Sequence, residues 1–212
     1  MIKGQCFYLY SFLDLFSRQI VGCQVFAEES SRSARALLQD IYQCEGLPPQ
    51  QVVLHSDNGS PTKGATMLAT LQRLGVMPSF SRPAVSHDNP YSESLFKTLK
   101  YRPQYPLKPF DDLLEARPWV AELVQWYNHE HRHSAIGFVT PAQRHGGLDV
   151  MLLAQRTALY EQARAKHPQR WSRHTRNWNR VDIVHLNPEQ SDRQKTTHTT
   201  NQEGANQDNI AV

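Results

Sequence analysis

The segment Val52-Val53-Leu54-His55-Ser56-Asp57-Asn58-Gly59 is an apolar, β-branched run that halts at an acidic side chain and an Asn-Gly turn. It reads as a short strand over residues 51–55, apolar throughout and therefore buried on both faces. Asp57 then stands at the strand's C-terminal end. Further along, Asn89-Pro90-Tyr91-Ser92-Glu93-Ser94-Leu95-Phe96-Lys97-Thr98-Leu99-Lys100 carries Pro where a helix would begin and apolar residues at helical spacing. Glu93 falls in its first turn. A carboxylate at the end of a buried strand and another on a helix's opening turn can converge on one point. Two carboxylates with no Cys or His ligand between them favour hard, oxygen-seeking cations such as Mg²⁺ or Mn²⁺. Such ions, in pairs about 4 Å apart, drive in-line displacement at phosphorus.

On the N-terminal side, residues 5–26 read as a β-hairpin: Phe7 to Leu13, a turn from Asp14 to Arg18, and a return strand from Gln19 to Phe26. Ser30 to Glu45 follows as a helix with Ala34, Leu37, Leu38 and Ile41 in one apolar stripe, ended by Gly46 and Pro48-Pro49. Strand, helix, strand is a crossover unit, so the Asp57 strand is expected to run parallel to an earlier one. Beyond Asp57, Lys63 to Leu74 reads as a helix capped by Gly75, and residues 76–80 as an edge-like strand because of Pro78. The polar stretch Arg82 to Asn89 is expected to be mobile. A long helix over 111–131 contains Pro118, which removes a donor and should kink or split it. Residues 148–166 form another helix. From about Asn187 onward almost nothing is apolar, and disorder is expected.

With 212 residues the chain is long enough for one core with appendages. No stretch approaches about 18 consecutive apolar residues, which excludes a membrane-spanning helix of ordinary composition. The N-terminus lacks a basic flank followed by an apolar segment, which argues for the cytoplasm over secretion. Cys6, Cys23 and Cys44 are odd in number and widely spaced, as expected of reduced, buried thiols. The net charge is only +3, yet residues 142–180 hold eight Lys and Arg side chains against Asp149 and Glu161 alone. A basic block beside a carboxylate-bearing core suits a phosphate-backbone partner, although a solvated helix face would look the same. Within it Trp171, Arg173, Arg176 and Trp178 alternate ring and cation, which fits DNA backbone contacts with stacking support and fits simple packing equally well. His129, His131 and His133 do not make a convincing zinc site, because only 129 and 133 share a helical face. Tyr127, Asn128, Arg132 and His133 more readily fasten a helix end to the core.

Asp57 and Glu93 are separated by 35 residues, and with the words around them they resemble the last two members of the Asp-Asp-Glu triad of integrase-core transposases of bacterial insertion sequences. The resemblance runs from about Lys3 to about Pro188. It is carried by Phe7-Tyr8-Leu9-Tyr10 through Asp14-Leu15-Phe16-Ser17-Arg18, then Leu54 to Ser60, then Asn89 to Ser94. Trp126-Tyr127-Asn128, Arg132-His133-Ser134 and Thr140-Pro141-Ala142-Gln143-Arg144 continue it in order.

The resemblance implies an α/β, ribonuclease-H-like mixed sheet flanked by helices, with its first strand missing. In that family the first catalytic Asp precedes the Phe-Tyr-Leu-Tyr strand by about a dozen residues, whereas here no Asp or Glu precedes Asp14. Residues 1–147 would then be a catalytic core lacking that strand, 148–186 a basic DNA-contacting region, and 187–212 a polar tail. Asp14 itself reads as an Asx-turn residue; the alternative is a stand-in for the absent ligand.

The implied chemistry is DNA strand transfer with Mg²⁺ or Mn²⁺ held by Asp57 and Glu93; because the first Asp of the family's two-metal site would lie upstream of Met1, the site is incomplete and the chain alone is expected to be inactive. Lys97 and Lys100, on the Glu93 face of the helix, together with Asn58, Lys63, Arg173 and Arg176, would meet DNA. The implied partners are duplex DNA, meaning mobile-element ends and target, and a second core or an intact transposase, close to the bacterial nucleoid. The rival expectation is a non-catalytic remnant that binds DNA or an intact transposase. A nuclease of the same fold is less consistent with the surrounding words.

Overall fold

The computed structural model describes residues 6–57, 59–82, 88–102 and 104–186, apart from the Ser60 side chain. Residues 83–87, Asn58 and the tail from residue 187, where disorder is expected, lie outside the described residues. A compact unit extends through Asp182. From Ile183 a second unit begins, and its described part, residues 183–186, has no regular secondary structure.

The hairpin forms as expected: β1 (Tyr8–Leu13) pairs antiparallel with β2 (Ile20–Phe26), Tyr8 opposite Phe26 and Leu13 opposite Ile20. Helix α1 (Ser31–Glu45) starts at Ser30, whose side chain accepts the Ser33 N–H, and ends on Gly46. Strand β3 (Val53–Ser56) is followed by a single helical turn, α2 (Ser60–Lys63), and by α3 (Ala65–Leu74). The expected continuous helix is thus broken at Gly64. Gly75 takes the left-handed conformation, φ +69°, and a Cβ there would lie 2.9 Å from the Gln50 backbone nitrogen. Strand β4 (Met77–Phe80) then pairs with β3, and α4 (Pro90–Lys100), α5 (Leu113–His129), α6 (Pro141–His145) and α7 (Asp149–Lys166) complete the chain of elements.

Two expectations about β3 are corrected. Its parallel partner is the later β4, in register Val53 to Met77 and Ser56 to Phe80, and the described strands form two separate two-stranded sheets. Nor is β3 buried on both faces: Val53 is 59% exposed and its partner Met77 65%. With only one neighbouring strand, that end of the pair faces solvent. Both sheets nevertheless rest on one helical layer, since Tyr10 and Phe12 of β1 and Leu54 of β3 pack on Ala34, Leu38, Met67 and Leu71. The alternate residues of the hairpin face the other way. Leu9, Val25 and Ile20 pack against the α4 and α5 residues Leu95, Leu99, Val120 and Leu123. Gly22 lies on the α1 side, where an added Cβ would sit 2.4 Å from Ile41 Cδ1, so only Gly lets helix and strand approach this closely.

Helix α5 runs unbroken through Pro118. Pro118 lies on its exposed face, and Leu114, whose carbonyl loses a partner, is 79% exposed, so water can satisfy the group. The cysteines also differ from expectation. Cys6 and Cys44 are exposed free thiols, and only Cys23 is enclosed enough for burial to push its thiol up to about 11. No described helix is long and apolar enough to cross a membrane.

Asn128 joins the two halves. Its Oδ1 accepts the Ile20 N–H and its Nδ2 donates to the Ile20 carbonyl, both at 2.9 Å, in a buried setting. Asn128→Leu strands both peptide groups and should cost about 2–5 kcal/mol in urea unfolding.

Candidate functional site

Asp57 leaves the end of β3 exposed to solvent. Its Oδ1 accepts the Gly59 N–H at 3.2 Å, and its carbonyl takes a long bond from the Thr62 hydroxyl, 3.4 Å. It therefore shapes the turn, and among the described residues it does so with one carboxylate oxygen. Glu93 is exposed in the first turn of α4, and among the described residues no ion pair engages it or Lys97. Both lysines, 97 and 100, are exposed on the same helix. Lys63 is exposed, its ammonium 5.1 Å from the Phe80 ring centroid at the end of β4.

What draws the two acidic segments together is His55, two residues before Asp57. Its Nε2 lies 3.1 Å from the carbonyl oxygen of Asp88, just ahead of α4, and 3.3 Å from the Ser81 hydroxyl. A carbonyl only accepts, so Nε2 carries the proton and Nδ1 accepts from the Ser79 hydroxyl at 3.0 Å. With both ring nitrogens engaged, His55 is a strut and not a metal ligand. Asp88 is itself fixed. Its carboxylate receives the Arg82 backbone N–H at 2.8 Å and the guanidinium through Nε and Nη2 at 3.0 and 2.8 Å. The Arg82 side-chain and backbone hydrogen bonds hold the Asp88 carboxyl at about 2. The expected mobility of Arg82 to Asn89 is thus corrected at its ends, which are closed by this pair. The buried Asp88, and the Ser79 and Ser81 hydroxyls that meet His55, were missed because, in sequence, they look like ordinary loop polarity.

Asp14 adopts the turn role. Its carboxylate accepts the Phe16 and Ser17 N–H groups at 3.2 and 3.1 Å and the Ser17 hydroxyl at 2.5 Å, with His145 Nδ1 at 3.4 Å. Burial alone would raise its pKa, but these hydrogen bonds prevail and it falls below the ordinary carboxylate value. Its oxygens are committed to the turn.

The basic block divides. Arg144 is buried, donating to the Phe16 and Val181 carbonyls and lying 3.5 Å from Asp149, while Arg180 bonds Asp149 at 2.7 Å. Arg156 donates to the carbonyls of Gly137 and Phe138. These three are engaged within the C-terminal subcore, so the basic block is not one uniformly free cationic surface. Arg173 and Arg176 remain exposed, Arg176 lying 5.0 Å over the Phe138 ring. Trp178 is core, packed with Ile136, Val139 and Leu153.

Of the three histidines, His129 is exposed at the end of α5, while His131 and His133 stack and cap. His131 lies parallel to Tyr127 at 5.4 Å, and His133 Nδ1 accepts the Ala135 N–H at 3.2 Å. Among the described residues no group of three His, Cys, Asp or Glu side chains is gathered as a metal cage.

Comparison with known proteins agrees with this architecture. Integrase core domain models match residues 1–86 and 74–141. The chain is 32% identical over 143 residues to the transposase for insertion sequence element IS904 of Lactococcus lactis, covering 66% of this chain and 54% of that protein. The chain belongs to the integrase-core family. The protein assigned as transposase to IS986/IS6110 of Mycobacterium tuberculosis is 30% identical over 150 residues, 68% of this chain and 51% of its own length. The chain thus spans about half the length of the transposases it matches. In fold it is similar to the catalytic core domain of BIV integrase (TM-score 0.51, 17% identity, 68% of this chain, 88% of that one). A second likeness is to a chain of the simian T-cell lymphotropic virus intasome in complex with PP2A regulatory subunit B56 gamma (TM-score 0.51, 20% identity, 66% of this chain and 49% of that one). The fold of this integrase-core chain is accordingly the α/β, ribonuclease-H-like one.

Burial, with the nearby Arg18 and His131 charges adding to it, lowers the His133 pKa to about 4. The folded pKa lies below the unfolded one of about 6.5, so the unfolded state binds the extra proton between them. Stability should therefore be full above about pH 6.5 and fall as pH drops toward 4. His133→Asn, which keeps a capping acceptor but cannot titrate, should flatten that part of a pH series of urea midpoints.

Proposed function

We propose that this chain supplies the catalytic-core portion of an insertion-sequence transposase, acting on duplex DNA by metal-assisted phosphoryl transfer. Asp57 and Glu93 are the divalent-ion ligands. The observation that carries this reading is the His55–Asp88 link, which joins the strand end bearing Asp57 to the helix start bearing Glu93, both acids remaining exposed. The donor set fits Mg²⁺ or Mn²⁺: two hard carboxylates, with the His55 imidazole already bonded at both nitrogens. Bound there, such an ion supplies Lewis-acid charge neutralisation at the scissile phosphate.

The remaining work belongs to the chain's own residues. Lys97 and Lys100 follow Glu93 along one helical face and hold backbone phosphates beside it, with Lys63, Asn58, Arg173 and Arg176 extending the contact. Strand transfer joins two DNA ends to a target, so a pair of cores, or this chain with an intact transposase, is the working assembly.

The assignment is tested by titrating Mn²⁺ and following the free ion by EPR. Asp57→Asn and Glu93→Gln should each weaken uptake by at least the roughly ten- to hundredfold typical of losing an outer-sphere partner. Uptake unchanged by both substitutions rejects the assignment. For DNA, replacing Lys97 and Lys100 together by Gln should reduce the slope of log K against log salt by about 2, one unit per phosphate contact, for any duplex sequence.

A second reading, a non-catalytic chain that binds DNA or an intact transposase, is favoured by the number of site acids: two are assigned, and Asp14 is committed to its turn. It predicts the same salt slope with no Mn²⁺-dependent cleavage or joining of DNA ends.

A further inference from the structure

The turn between β1 and β2 presents a buried cation whose charge has no local use. Arg18 is 8% exposed, yet its Nε and Nη1 are enclosed without a hydrogen-bond partner, and no described carboxylate pairs with it. Burying a guanidinium unsatisfied is costly, so its placement requires a compensating contact. The contact it makes is with a ring: its Cζ sits 4.0 Å from the centroid of Tyr91.

The backbone is shaped to deliver that contact. Arg18 has φ +67°, a left-handed conformation unusual for a residue with a long side chain. The Arg18 N–H donates to the Asp14 carbonyl at 2.8 Å, the Asp14 N–H donates to the Gln19 carbonyl at 2.8 Å, and the Asp14 carboxylate gathers Phe16 and Ser17 inside the loop. This dense bonding sustains a strained residue.

Tyr91 lies two residues before Glu93, in a helical turn that lacks a cap of its own. Asn89, the N-cap residue, makes no side-chain capping bond. The start of α4 is therefore held from outside, by His55 on the Asp88 carbonyl and by Arg18 on Tyr91.

We propose that Arg18 is a positioning residue: by stacking on Tyr91 it locks the opening turn of α4 and so sets where the Glu93 carboxylate stands. The consequence for metal binding rests on Glu93 being a ligand, as proposed above; the locking of the turn does not.

Hydrogen–deuterium exchange of the full chain, read by mass spectrometry, tests the lock directly. Arg18→Gln and Tyr91→Leu should each speed exchange about five- to thirtyfold in peptides covering 90–96, with α1 and α7 unchanged, and the double substitution should add nothing. Arg18→Lys, which keeps the charge but loses the flat stacking surface, should give a smaller change of the same kind. Unchanged exchange at 90–96, a uniform rise along the chain, or additive effects of the two substitutions would overturn the proposal. In the Mn²⁺ titration Arg18→Gln should weaken uptake about tenfold, in the range of outer-sphere substitutions. If Glu93→Gln leaves uptake unaltered while exchange at 90–96 rises as stated, the ligand assignment fails and the lock stands.

Discussion

The hydrogen bond from the His55 imidazole to the Asp88 carbonyl is the constraint that ties the end of β3 to the start of α4. A carbonyl just ahead of a helix is not consumed by that helix, and left enclosed it would be an orphaned acceptor. His55 satisfies it from the strand that leads into Asp57, while Ser79 on the neighbouring strand satisfies the other ring nitrogen. One side chain thus registers a parallel strand pair against the start of α4. The Arg82–Asp88 pair closes the intervening segment from its own two ends, so that its length does not translate into freedom at the helix start.

Much of this was legible in the sequence, for identifiable reasons. The hairpin, α1 and α4 could be read because each local signal agrees with the tertiary role: alternation at Tyr10 and Phe12, Ser30 ahead of an apolar stripe, Pro90 at the first helical position. The partner of β3 could not, because an apolar β-branched run states that a strand forms and not which neighbour it takes. Pro78 suggested an edge, and β4 is an edge with its pairing side turned to β3. The contacts that fix the site were also invisible. His55, Ser79, Ser81 and Asp88 are polar residues in polar or mixed surroundings, and nothing in their spacing says that they meet.

Counting charge misled for a related reason. A run of arginines looks like a surface for phosphates, yet Arg144, Arg156 and Arg180 each turn inward to carbonyls or to Asp149. Guanidinium can do this because it offers several donors in a fixed plane and is more weakly hydrated than ammonium. The lysines beside Glu93 and the outer Arg173 and Arg176 stay in solvent. The distinction between structural and available cations is therefore a distinction of burial, and sequence gives composition without burial.

The same economy explains why the β1–β2 turn is so heavily bonded. A simple hairpin needs only a reversal, which Asp14 and Ser17 would supply as an ordinary side-chain-stabilised turn. Here the Asp14 carboxylate is also approached by His145, which reaches Glu45 at the end of α1 through its other nitrogen at 3.2 Å, and Phe16 lies beneath the guanidinium of Arg144 at 4.2 Å. The turn is thereby tied to α1 and to α6, so it cannot relax its one left-handed, non-glycine residue by drifting outward. Asn128 fixes the next residue but one, Ile20, to α5. Anchored on three helices, the turn is rigid enough to act on a fourth, and α4, whose opening turn has no side-chain cap, is the helix that Arg18 reaches through Tyr91.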